Sequence, residues 1–271
     1  MKRFNVLTTV LALVAVPVFG QEDNSGSSGG ADLLRELWSM DDATTLAPGQ
    51  VDLRLTFGWT TASAPANLGD SNDDFVFTPS LTWGAVENLE IFAEVPVFVG
   101  DGGDRPALGD GNADTVLGFT LRFMEPDGTM PAAALQMKAR VPTGDNSNGV
   151  DGEARLILTN EYDSGLRSHI NAFAQSINGD IDEELREFQW GFVVGMDGPL
   201  CLDGAVRWVA DYLHRVGLHN GTSNMHILEL GWEWDMGNTQ RLGFATQIGL
   251  DQVDDTPNFG AAITYAQALT F

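Results

Sequence analysis

The chain reads as all-β, a single antiparallel transmembrane β-barrel of about twelve strands with short periplasmic turns and long acidic extracellular loops. Three observations predict it. From residue 50 onward apolar residues recur at every second position, the period of a strand with one greasy face. The connections alternate between short and long, as in outer-membrane barrels. The final segment sets Phe259, Ala261, Ile263, Tyr265, Leu269 and Phe271 against Asn258, Gly260, Ala262, Thr264, Ala266 and Thr270. A period-2 strand ending on an aromatic is what carries the insertion signal in bacterial outer-membrane proteins.

The elements follow in order. Lys2 and Arg3 precede an apolar run from Phe4 to Phe19 that is broken only by Asn5, Thr8, Thr9 and Pro17. Val18 and Gly20 are small enough to flank a cleavage site, so residues 1–20 read as a secretory signal peptide. The alternative, an uncleaved membrane helix, suits the short, proline-interrupted run less well. Residues 21–49 read as a periplasmic N-terminal linker. Within it Leu33, Leu34, Leu37 and Trp38 fall at helical spacing. That spacing predicts either a short helix over 31–40, in the periplasm or tucked under the barrel mouth, or a loosely ordered arm.

Residues 50–271 form the expected barrel. Its first strand puts Val51, Leu53, Leu55, Phe57 and Trp59 outward and Asp52, Arg54 and Thr56 inward. The second and third carry Phe75, Phe77, Leu81, Trp83, Leu89, Ile91, Ala93, Val95 and Val97 on the apolar parity. The fourth and fifth carry Leu117, Phe119, Leu121, Phe123, Ala133, Leu135, Met137 and Ala139. Leu156, Leu158 and Tyr162 mark the sixth, Ile170 and Ala172 a weaker seventh, and Phe188, Trp190, Phe192, Val194 and Met196 the eighth. The ninth takes Leu200, Leu202, Val206, Trp208 and Tyr212, the tenth Leu228, Leu230, Trp232 and Trp234, and the eleventh Leu242, Phe244, Ile248 and Leu250. Short turns are expected near 84–88, 125–129, 163–165, 197–199 and 235–239. Pro79 and Pro96, in neighbouring strands, predict a local break in the ladder, either a rim bulge or a lateral exit.

Composition narrows the function. The net charge of −24 and pI near 4.1 argue against nucleic acid or an anionic membrane surface as partner. Cys201 is the one cysteine, so no internal disulfide and no cysteine-based metal site can form. Outside the first twenty residues no apolar stretch reaches the ~20 residues a membrane helix needs, whereas a spanning strand needs only ~9–11. A soluble β-sandwich also alternates, but it does not call for alternating loop lengths.

Two stretches carry a family resemblance. Gly109-Asp110-Gly111-Asn112-Ala113-Asp114 leads into Thr115–Phe123, and Pro131–Val141 closes on Pro142-Thr143-Gly144-Asp145. Together they resemble the outer-membrane transporter family named for the meta-pathway of phenol degradation. The resemblance covers residues 109–145 closely and the rest by general layout. It implies a barrel that moves small, often hydrophobic compounds, and it brings no catalytic residue.

On the inner parity lie Glu90, Glu94, Arg122, Lys138, Arg140, Arg155, Arg207, Glu229 and Glu233, the candidate substrate pathway. Two readings stand. One is a transverse field across a constriction, with Glu94, Lys138, Arg140, Arg207 and Glu229 nearest its middle. The other is neighbour pairing within a closed interior, such as Arg207 with Glu229. Trp59, Trp83, Phe123, Tyr162, Trp208, Tyr212, Trp232, Trp234 and Phe271 are the expected membrane-interface aromatics. Asp145, Asp151 and Glu153 are a weak calcium candidate without EF-hand spacing; no other metal and no cofactor is expected. His169 is the clear inner-face histidine, too little for an enzyme. The expected partners are outer-membrane lipid, a small solute and the barrel-assembly machinery acting on the C-terminal strand. The expected role is passive or facilitated uptake of small molecules through the outer membrane. A non-conducting structural or surface-interaction barrel is the alternative.

Overall fold

The structure is a computed structural model that describes residues 39–62, 72–98, 114–127, 130–144, 149–178, 186–217, 223–237, 239–251 and 257–270. The expected signal peptide, residues 31–38 of the expected helix over 31–40, Asp145 and Phe271 lie outside the described residues. Ser39 and Met40, at the end of that expected helix, are not helical.

Twelve wall strands form one closed antiparallel sheet, as the alternation demands. They are β1 Gln50–Ala62, β2 Asn72–Val86, β3 Leu89–Glu94 resuming at Val97–Phe98, β4 Thr115–Met124, β5 Ala132–Val141 and β6 Asp151–Glu161. The ring continues with β7 Arg167–Ser176, β8 Phe188–Cys201, β9 Val206–Arg215, β10 Met225–Asp235, β11 Gln240–Gly249 and β12 Pro257–Thr270. Each pairs with its sequence neighbours, and β1 pairs with β12 from Gln50↔Thr270 to Ala62↔Pro257, so no edge is left open.

The two parities separate as predicted. Leu117, Phe119, Ile170, Val194 and Ile263 stand exposed on the outer face. Inward residues line up across strands: Glu90, Thr120, Gln136, Arg155, Phe173, Gly191 and Arg215 are successive Cα partners from β3 to β9. A polar interior and an apolar exterior follow from one period because neighbouring side chains on a strand point to opposite faces.

Two local expectations change. No turn forms at 197–199. β8 runs through Pro199 to Cys201, because Asp197 on its inner face accepts hydrogen bonds from Arg167 and Arg207. The chain reverses at Leu202–Gly204, where Leu202 and Asp203 take φ 54° and Gly204 φ 91°. Leu200 and Leu202 therefore end β8 and begin this turn rather than opening the ninth strand. At the prolines, Val95 N–H donates to the Pro79 carbonyl (3.0 Å), and Phe77↔Val97 keeps the register of Ser80↔Glu94. β3 loses ladder bonds there without slipping.

Candidate functional site

The lumen is filled at its short-turn end by the chain itself. Residues 39–46, from the stretch expected to be a periplasmic linker, run inside the wall. Ala47-Pro48-Gly49-Gln50 then turns them into β1, with Gly49 at φ 81° and Gln50 N–H bonded to the Ala47 carbonyl (3.0 Å). Proline followed by a positive-φ glycine suits a type II turn.

Polar contacts seat this plug along its length. Ser39 donates to Glu229 (2.5 Å). Asp41 accepts from Arg155 (2.5 Å), while its backbone N–H and carbonyl bond the Asn171 amide (2.6 and 2.9 Å). Asp42 pairs with Arg167 (2.5 Å) and caps Thr44 N–H (2.8 Å). Ala43 N–H donates to Thr159 (3.0 Å), and Leu46 N–H to Glu90 (3.1 Å). Asp41 and Asp42 are buried, so each anion depends on its arginine: removing one partner of a buried pair costs about 3–5 kcal/mol.

Apolar contacts match. Met40 is buried against Phe173, Val193, Val209 and Ala245, and Ala43 against Ala132, Ala134 and Ile157. Two glycines make room. A Cβ on Gly84 would stand 2.1 Å from the Ala47 carbonyl oxygen, and one on Gly195 would stand 2.3 Å from the Met40 sulfur.

Beneath the plug a dense network ties β7, β8 and β9 together. Asp197 accepts from Arg167 (3.1 Å), from the His169 ring (2.6 Å) and from Arg207, which also reaches the Gly165 carbonyl (3.0 Å). His169 Nδ1 meets Thr159 Oγ1 at 3.0 Å. Hydroxyl, imidazole and carboxylate are thus in line, but the hydroxyl already accepts the Ala43 N–H and the ring is 1% exposed. The arrangement anchors the plug.

The predicted pathway residues fall into three places. Glu90, Arg155 and Glu229 touch the plug. Arg122, Arg207 and Glu233 lie at the short-turn end: Arg122 bonds Asn88 (2.8 Å), Arg207 is opposite Glu233, and both Glu233 oxygens are buried without a hydrogen-bond partner among the described residues. Glu94, Lys138 and Arg140 line the loop half, where Glu94 and Arg140 flank Val116 in one row. Arg207 and Arg140 therefore sit toward opposite ends of their strands and do not share a constriction. The expected Arg207–Glu229 pair is replaced by Arg207–Asp197 and Ser39–Glu229.

The aromatics form two outward bands. Trp83, Phe123, Tyr162, Trp208, Trp232 and Trp234 lie toward the short-turn end. Trp59 lies toward the loop end, stacked on Phe75 (6.5 Å) and edge-on to Phe259 (5.8 Å), as does Tyr212, whose hydroxyl bonds His226 (2.5 Å). In the weak calcium set, Asp151 accepts from Asn178 N–H (2.7 Å) and Glu153 pairs with Arg155 (3.0 Å), so both carboxylates are engaged by protein donors. Sequence reasoning missed the plug, Phe173 and Arg215. Apolar residues on the polar parity, among them Ile157, Phe173, Val193 and Val209, were the signal that something greasy lies inside.

No family model matches the chain, and no curated protein matches it in sequence. Solved structures do. A crystal structure of an outer membrane channel from Pseudomonas putida F1 aligns with a TM-score of 0.67 at 14% identity, covering 84% of this chain and 98% of that one. The transport unit of the autotransporter AIDA-I from Escherichia coli gives 0.49 at 14% identity, over 89% and 94% of the two chains. The CymD monoaromatic hydrocarbon channel gives 0.44 at 10% identity, over 83% and 89%. At 14% identity the likeness to the first of these shows the fold, a closed antiparallel β-barrel.

Proposed function

We propose that the protein resides in the bacterial outer membrane as a channel for passive or facilitated uptake of small molecules, closed at its periplasmic end by residues 39–46. One observation carries this reading: a sealed wall, greasy outside and polar inside, encloses a lumen whose short-turn end is filled by a separate segment rather than by wall side chains alone. Twelve strands lie between the ~8 that side chains can fill and the ~16–18 that leave a wide aqueous channel. The plug then acts as a gate, seated by Asp41 on Arg155 and Asp42 on Arg167.

The rest of the reading rests on sequence. Residues 1–20 direct export, and the C-terminal strand engages the barrel-assembly machinery. The resemblance over 109–145 to the phenol meta-pathway transporter family favours small aromatic or hydrophobic solutes. The filled lumen also favours a second reading, a non-conducting structural or surface-interaction barrel. Planar-bilayer conductance separates the two. A channel conducts as wild type or once Asp41→Ala and Asp42→Ala loosen the plug; silence from both proteins overturns the channel.

A further inference from the structure

Among the described residues, two inner-face cations have no carboxylate partner. The other strand arginines are each matched within 4 Å, from Arg54 with Asp52 (3.2 Å) to Arg241 with Asp235 (3.1 Å). Lys138 instead lies over the Phe92 ring (5.8 Å), and Arg215 instead faces amides. In a chain of net charge −24, a cation without an acid is informative.

Arg215 ends β9 on the loop side. Its Nε donates to the Gln189 side-chain oxygen (3.0 Å), and its Nη2 reaches the same atom and the Gln175 oxygen (3.1 Å). The guanidinium thereby fixes the orientation of the Gln189 amide, since the NH2 end cannot accept a hydrogen bond from arginine. That leaves Gln189 Nε2, on a fully buried side chain, as a donor without a partner. An arginine lacking a counter-ion beside an unused amide donor is half of a hydrogen-bonded complex. The missing half is an oxyanion with two acceptor atoms. Glu153, across the β6–β7 ladder from Gln175, does not fill it, because its carboxylate is held on Arg155 (3.0 Å).

We propose that Arg215 and Gln189 form the recognition site for a carboxylate on a small solute arriving from the loop end, with Lys138 as an attracting charge on the same inner face. This rests on the lumen being a solute path, and it assigns that path to organic carboxylates.

The test is calorimetric titration of the full chain in detergent with benzoate, benzyl alcohol and inorganic phosphate. Benzoate should bind at least about tenfold more tightly than the neutral alcohol, which loses the charge-assisted bidentate contact. It should also bind more tightly than phosphate, which keeps that contact but has a larger desolvation cost and no apolar ring to bury. Arg215→Gln and Gln189→Leu should each weaken benzoate about tenfold, while Arg215→Lys should lose less than Arg215→Gln. Equal binding of benzyl alcohol overturns the site. Phosphate binding as well as benzoate overturns the carboxylate assignment. Benzoate affinity unchanged in a folded Arg215→Gln or Gln189→Leu barrel overturns the placement. Binding is read without transport, so a silent barrel that holds benzoate through Arg215 removes the channel and leaves the site, and a conducting barrel that ignores benzoate does the reverse.

Discussion

At the scale of residues, the plug depends on a few buried charges. Asp41 and Asp42 sit in a stretch that reads as ordinary polar linker, and their partners lie more than 100 positions away, Arg155 on β6 and Arg167 on β7. Asp41→Ala strips Arg155 of its nearest anion and leaves Glu153 as the remaining one. The expected cost is about 3–5 kcal/mol of docking energy. It should appear as increased protease cleavage within residues 39–46, with the barrel itself intact. Cleavage at the wild-type rate would mean that the plug is held by its apolar contacts alone. Met40 tests that side: Met40→Ala gives up a buried side chain worth about 2–5 kcal/mol and should loosen the plug to a similar degree. Neither aspartate could be singled out from sequence, because a linker carboxylate has no periodicity to betray its burial. The arginines were legible as inward-facing, since parity alone places them.

At the scale of elements, each strand is a ruler with two faces. Phe119 is exposed on the outside of β4, and Thr120, its neighbour, is fully buried against the Gln136 side chain (3.4 Å). Spin labels should find lipid-soluble oxygen near position 119 and be shielded from it at position 120; equal, watery surroundings at both would abolish the barrel in the membrane. Ile170 on β7 stands outward and exposed, between the inward His169 and Asn171. Ile170→Arg near mid-membrane should destabilise the barrel by about 2–4 kcal/mol in lipid vesicles, read by guanidinium unfolding. Twelve strands and most of their bounds were legible because period 2 persists along each. The β8–β9 junction was not legible, because Asp197 and Pro199 resemble turn residues. Only the structure shows Asp197 facing inward among Arg167, His169 and Arg207.

At the scale of the whole molecule, the closed wall and the plug are separable devices. Closure is obligatory, because hydrocarbon offers no partner to an edge N–H or C=O. Plugging is a separate matter, because the plug adds side-chain contacts to a wall whose backbone ladder already closes without it. Double substitution Asp41→Ala with Asp42→Ala should therefore leave barrel stability nearly unchanged while raising solute flux into liposomes several-fold. A collapse of the barrel would show instead that wall and plug fold as one unit. The acidic loop segments carry much of the −24 charge, yet the described lumen wall holds Lys138, Arg140, Arg155 and Arg215 on β5, β6 and β9. A negatively charged molecule with a locally basic inner wall is consistent with drawing anions inward once past the loops.

The sequence by itself determined the wall: its strands, their inward and outward faces, and its closure. Alternation is a local property, and lipid tolerates only one way to satisfy it. What fills the lumen was decided in three dimensions. Ser39 meets Glu229, and Asp41 meets Arg155, only after the ring has closed and brought distant strands around one axis. No periodicity along the chain encodes a contact that exists only once the wall is complete.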